Sequence, residues 1–286
     1  MLECVVNVSE GRDRAVISSI AQAGGACVLD VHSDPDHHRT VLTMAGDDLE
    51  EAVRAVASRT VACVDLRAHT GVHPRMGALD VVPFVALPPA GARPPGPGHD
   101  GAPPLDLASA VAARGRFAAW AAGALDLPCF LYGPERTLPE VRRHAFTSLA
   151  PDAGPPRPHP SAGACAVGAR GVLVAYNLWL AGADLAGARA IAGAVRGPAV
   201  RALGLAVAGG TQVSCNLIEP LVYGPAEVFD AVAALAREAG ASIARAELVG
   251  LVPAAVLGAV PPSRHHQLDL GPERTIEARL AGWRAR

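Results

Sequence analysis

One order of elements, strand–helix–strand–strand–helix–strand, can be read twice along this chain, and that doubling constrains its fold more than any other feature. In the first half, LECVVNV (2–8) is a short apolar run, and residues 13–24 place Val16, Ile20 and Ala23 at helical spacing. CVLDV (27–31) and RTVLTMAG (39–46) read as strands around a polar turn. Residues 47–64 open with acids suited to a helix N-terminus and set Leu49, Val53, Val56 and Val61 near one face. ALDVVPFVAL (78–87) returns as a strand. The second half repeats the order. GVLVAYNLWL (171–180) is a strand and residues 184–197 a helix ended by Gly197. Strands 200–208 and 211–218 meet at Gly209–Gly210, a helix with Pro225 in its first turn spans 225–240, and 241–251 closes as a strand.

The doubled pattern predicts an α/β (α+β) protein of two ferredoxin-like split-βαβ subdomains, with boundaries at 1–166 and 167–286. Between them lie a Pro/Gly-rich loop (88–104), a helix over 105–124, a strand in PCFLY and a helix from Leu138. Residues 151–164, again rich in Pro and Gly, read by composition as a plain linker.

With 286 residues, half of them hydrophobic and 18% charged, the chain can bury a core and is far from disordered compositions. A net charge of -2 gives no bulk attraction to nucleic acid or an anionic membrane. The six cysteines are scattered singly, without a C-x-x-C pair, and read as buried free thiols in a reducing compartment. The N-terminus lacks a basic and apolar leader, and no apolar run reaches the length of a membrane span. These features predict a soluble, cytoplasmic protein.

Three polar clusters interrupt the apolar pattern. His32, Asp34, Asp36, His37, His38 and Arg39 crowd a turn before a strand; His69, His73, Arg75 and Asp80 surround a Gly- and Pro-marked loop; His159 sits in the 151–164 stretch. Histidine titrates near neutral pH and moves protons, a carboxylate can orient it, and arginine clamps carboxylates with paired hydrogen bonds. Each residue also has an ordinary use. A loop histidine can be solvated, Arg75 can hold carbonyls, and Asp34 and Asp36 are common turn formers. A zinc or iron site has donors enough here, but the pair His69 and His73 straddles Gly71 and precedes Pro74, so it is not a helical ligand pair. No metal is expected.

The loop ending HPRMGALDVVPF resembles the signature of the formiminotransferase domain of the glutamate formimidoyltransferase family. So do CVVNVSEGRD, DPDHHRTV, LPCFLYG, SAGACAVGARGVLVAYNLWL, QVSCNL, ELVGLVP and LDLGPERTIEARL, collinear over nearly the whole chain apart from the loop at 88–104. The resemblance implies two subdomains whose sheets face each other across a groove, a homodimer, and tetrahydrofolate accepting a formimino group from formiminoglutamate in histidine degradation. It implies small-molecule substrates only, without nucleic acid or membrane. His73 takes the place of the family's catalytic histidine. Arg39 and Arg75 are expected to clamp a substrate carboxylate or the loop, Asp80 to support the loop, and His38 and Asn177 to line the pocket. The folate-contacting segment falls on Gly154, Pro155, Pro156, Arg157, Pro158, His159, Pro160, Ser161, Ala162 and Gly163, which replaces the linker reading.

Four positions depart from the family pattern: Val72 for a glutamate, His32 for an aspartate, His38 for an asparagine and Trp179 for a polar residue. They leave open a paralogue that moves a formimino or formyl unit between folate and another amine, or one that only binds folate. A metal-dependent hydrolase is the third reading.

Overall fold

The computed structural model describes residues 1–71, 73–87 and 106–284, so Val72 and the loop at 88–104 lie outside the described residues. The chain divides into one unit of Met1–Leu87 with Leu105–Gly171 and a second running from Val172 to Arg286.

The first unit contains β1 (Leu2–Val8), α1 (Arg14–Ala23), β2 (Val28–Asp34), β3 (Arg39–Ala45), α2 (Leu49–Cys63) and β4 (Leu79–Ala86). To these it adds α3 (Ala108–Leu125), β5 (Cys129–Tyr132), α4 (Leu138–His144) and β6 (Cys165–Arg170). Its sheet has the order β2-β3-β1-β4-β6-β5. The first four strands pair antiparallel, as a split-βαβ unit requires, and β6 joins β4 and β5 in parallel. With neighbours on both sides, β4 is buried along its whole length. Val6, Leu42, Phe84 and Phe117 anchor the main core, and Val81, Phe130, Tyr132 and Val141 form a smaller cluster beneath α4. Asp13 caps α1 by accepting from the Ala15 and Val16 amides.

β6 is an addition to the sequence reading, which set its domain boundary between residues 166 and 167. The strand is built from CAVGAR, where Ala166, Gly168 and Ala169 have weak strand preference and Val167 alone a strong one, and its register with β4 and β5 comes from tertiary pairing.

The second unit contains β7 (Val174–Ala181), α5 (Leu185–Val195), β8 (Val200–Val207), β9 (Gly210–Leu217), α6 (Pro225–Glu238) and β10 (Ser242–Val249). Two short helices follow, α7 (Ala254–Gly258) and α8 (Ile276–Arg284). Its sheet is wholly antiparallel in the order β10-β7-β9-β8. Alternation puts Tyr176, Leu178, Val213 and Cys215 into the core, while Asn177 and Trp179 point to the other face. Pro225 opens α6, whose Glu227 carboxylate accepts from the Gly224 amide. All six cysteines are free, with Cys63 the one not fully buried. Among the described residues no helix is long and apolar enough to cross a membrane.

Candidate functional site

Three pieces of the first unit converge on one polar cluster: the β2–β3 turn, the loop from His69 into β4, and α4. The turn is shaped by Asp34, whose Oδ1 accepts from the Asp36 and His37 amides at 2.8 Å, and by His38, which sits at φ 49°. A non-glycine residue in the left-handed region is uncommon, and here it reverses the chain so that Arg39 enters β3 facing the site.

Asp80 is the hub. Its side chain is 1% exposed, accepts from Arg142 Nη2 at 2.7 Å and Arg39 Nη1 at 3.1 Å, and its Oδ1 takes the Met76 amide at 2.7 Å. Arg39 also donates through Nε and Nη2 to Asn7 Oδ1, at 3.0 and 2.5 Å, and lies 2.8 Å from His73 Nδ1. Burial first, then the Arg142 and Arg75 charges, lower Arg39 to about 10, against the opposing pull of Asp80. It still carries its charge at neutral pH.

His73 is held neutral. Burial is the main cause, the neighbouring Arg39 and Arg142 guanidiniums add to it, and together they depress the imidazole to about 2. Its Nδ1 lies 2.8 Å from Arg39 Nη1 and 2.7 Å from the Pro74 carbonyl. A guanidinium only donates and a carbonyl only accepts, so Nδ1 serves one of them at a time. With Nδ1–H on Pro74, Nε2 carries a lone pair and can take a proton. With Arg39 donating to Nδ1, Nε2 bears the hydrogen and can give one.

Arg75 holds the loop. It donates to the His73 carbonyl at 2.6 Å, to the His37 carbonyl at 3.3 Å and to His69 Nδ1. His69 in turn donates from Nε2 to the His38 carbonyl at 3.1 Å and stacks on the His38 ring at 4.0 Å. His38 Nδ1 accepts from the Gly11 amide at 3.1 Å. Burial lowers both imidazoles below the ordinary histidine value, with His69 adding to the effect on His38 and Arg75 to that on His69. Both rings therefore read as neutral loop fasteners.

The segment 154–163 is anchored to this loop by its end. The Leu66 amide donates to Ser161 O, Ala78 to Ala162 O, and Ala164 to Met76 O, each within 2.9 Å. Gly163, at φ 70°, has no room for a side chain because a Cβ would strike the Met76 carbonyl. His159 Nδ1 accepts from the Ala162 amide at 3.0 Å. Pro156, Arg157, Pro158 and Pro160 stay exposed, giving an apolar and cationic rim.

Asn177 stands in the second unit. Its Nδ2 donates to Glu247 Oε2 at 3.2 Å, Trp179 Nε1 donates to the same oxygen at 2.9 Å, and the Arg245 guanidinium lies over the indole at 4.1 Å.

Two residues join the cluster that the sequence reading did not name, Asn7 and Arg142, and His37, placed in the polar turn without a role, comes with them. Arg142 looks like an ordinary cation in a helix's last turn, and only its position beside Asp80 reveals more. Its Nε and His37 Nε2 are buried without a hydrogen-bond partner, a condition that costs about 1–3 kcal/mol apiece. Among the described residues no three of His, Cys, Asp and Glu form a group able to hold a metal ion. The arrangement is a neutral imidazole among guanidiniums, suited to moving a proton beside an anionic substrate.

Residues 1–170 match the formiminotransferase domain, N-terminal subdomain. The glutamate formimidoyltransferase of Streptococcus pyogenes serotype M1 is 32% identical over 285 residues, covering 90% of each chain. That of Thermoplasma acidophilum is 30% identical over 283 residues and 88% of each chain. The formimidoyltransferase-cyclodeaminase of Sus scrofa is 33% identical over 88% of this chain and 50% of its own length. The chain belongs to the formiminotransferase domain family.

Proposed function

We propose that this protein transfers a formimino group from formiminoglutamate to tetrahydrofolate, the reaction of histidine degradation, with His73 as its acid–base residue. One observation carries the reading: the Nδ1 of His73 is flanked by Arg39 and the Pro74 carbonyl, so that either tautomer can be held and Nε2 can serve as acceptor or donor. Enzymes named glutamate formimidoyltransferase that align over about nine-tenths of both chains support the substrate pair.

Tetrahydrofolate supplies the ring nitrogen that takes the formimino carbon. The exposed prolines of 154–163 offer flat apolar contact for a ring, and Arg157 offers a charge for a glutamyl tail. Arg39, with Nε, Nη1 and part of Nη2 already committed, orients His73 and Asp80 more than it clamps substrate. Arg75 and His38 fasten the loop, and Asp80 fixes both guanidiniums. A homodimer in the cytoplasm belongs to the same proposal and follows from the family resemblance.

A second reading, transfer to or from a different amine, draws on Trp179, whose ring face is covered by Arg245 and whose N–H is taken by Glu247. An assay with tetrahydrofolate and formiminoglutamate, run beside His73→Ala, decides. The variant is expected to lose about two to four orders of magnitude in turnover, with folate binding changed far less. Equal losses in both would overturn the assignment, and a wild type that binds folate without turnover would favour the second reading.

A further inference from the structure

We propose that His37, oriented by Asp34, is the second proton-transfer residue of this site, the one that protonates the departing amine. The inference rests on the reading just given and adds a residue that the resemblance did not bring forward.

Four observations meet at His37. The residue is 7% exposed, yet its Nε2 has no hydrogen-bond partner. Its ring stands edge-on to His73 with centroids 5.9 Å apart. Its Nδ1 lies 3.5 Å from Asp34 Oδ2, while Asp34 Oδ1 binds its own amide at 2.8 Å, so one carboxylate fixes both the backbone and the ring. Arg75 Nη2 holds its carbonyl at 3.3 Å, tying the turn to the His73 loop. A solvated or purely structural histidine would have satisfied Nε2. This one is set in place from its Nδ1 side and left with a free nitrogen near the proposed acid–base residue.

The chemistry needs such a partner. A bond forms between the folate ring nitrogen and the formimino carbon, and the bond from that carbon to the glutamate nitrogen breaks. One proton leaves the attacking nitrogen and one must reach the leaving nitrogen, so the protons balance. His73, surrounded by guanidiniums, begins as an acceptor. His37, its Nδ1 side turned to Asp34, can deliver the other proton from Nε2 beside the His73 ring. The charged and titratable groups around His37 are Asp34 from its own turn, Arg75 and His73 from the facing loop, and Arg39 and Arg142 beyond His73.

The test uses the full chain with His37→Gln and Asp34→Asn, two formimino donors, and calorimetric binding of tetrahydrofolate. Formiminoglutamate expels glutamate as an amine whose nitrogen must be protonated, whereas an alkyl formimidate expels an alcohol and depends on that proton far less. His37→Gln is expected to lose about 10²- to 10⁴-fold in kcat with formiminoglutamate, the usual worth of one acid–base group. Its loss with the formimidate is expected to be within about tenfold, and its folate affinity unchanged. Asp34→Asn follows the same pattern at smaller amplitude and shifts the basic limb of the pH profile. Equal losses with both donors, or a His37→Gln enzyme as fast as wild type, would overturn the proposal while leaving the His73 reading intact. A wild type inactive with both donors would remove that reading and this inference together.

Discussion

The two units share a strand order and differ in what their connections hold. In the first, the β2–β3 turn carries Asp34, His37 and His38 and is pinned to a second loop through Arg75 and His69. In the second, the corresponding β8–β9 hairpin turns on Ala208 and Gly209, with no titratable side chain in it. The first sheet also gains β6 and β5 beyond β4, and with them come Arg142 and the segment 154–163. The second sheet ends at its four strands and shows a polar face of Asn177, Trp179, Arg245 and Glu247. The same topology thus serves as a platform twice, and the proton chemistry is concentrated in connections and in the extension, not in the shared plan.

The sharpest way to test that contrast is to remove Asp80. Asp80→Ala leaves the Arg39 and Arg142 guanidiniums without their common partner, and losing one member of a buried ion pair costs about 3–5 kcal/mol. Urea unfolding should show the loss confined to the first unit, with hydrogen exchange in β7–β10 unchanged. A change within 1 kcal/mol, on the order of a surface pair, would mean that the hub is not structural.

Acid should separate the units next. His73, His69 and His38 all sit below the ordinary imidazole value through burial first. As pH falls through about 6.5 the unfolded chain takes up protons that the folded unit refuses, so the unfolded state binds more and stability drops. The first unit is therefore expected to be most stable above about pH 6.5 and to weaken steadily below it. Lowered carboxylates such as Glu135, held down to about 2 chiefly by Arg114, extend the loss only below about pH 4.5. Unfolding midpoints at pH 8, 6.5 and 5, read separately for each unit by hydrogen exchange, check this. A parallel fall in both would break the comparison.

The smallest effect is expected from Glu247→Gln. It keeps an acceptor for Trp179 and Asn177 and removes only a charge near the surface, so the second unit should change by no more than about 1 kcal/mol in chemical denaturation. A loss near that of Asp80→Ala would show that the second face depends on a charge of its own.

Much of this was legible beforehand. The twin element order follows from apolar spacing, the α6 start from Pro225, and the place of His73 from the residues around it. β6 was not legible because its two Ala and one Gly carry little strand preference, and its place between β4 and β5 is decided by pairing over distance. Composition made 154–163 look like a linker, because backbone bonds such as Leu66 N to Ser161 O leave no mark on side-chain identity. Arg142 and Asp80 are 62 residues apart, and nothing local announces their meeting.

That separation has a consequence for the order in which the chain is made. A ribosome releases β1 through β4, with Asp80 and Arg39 already able to pair, well before α4 brings Arg142 and before Ser161 and Ala162 can close over the loop. Until those residues emerge, Asp80 can meet only Arg39 and the pocket around His73 cannot be completed. Ribosome-bound chains halted with residue 170 still inside the exit tunnel, and others halted after it has emerged, test this: His73 is expected to be shielded only in the longer ones.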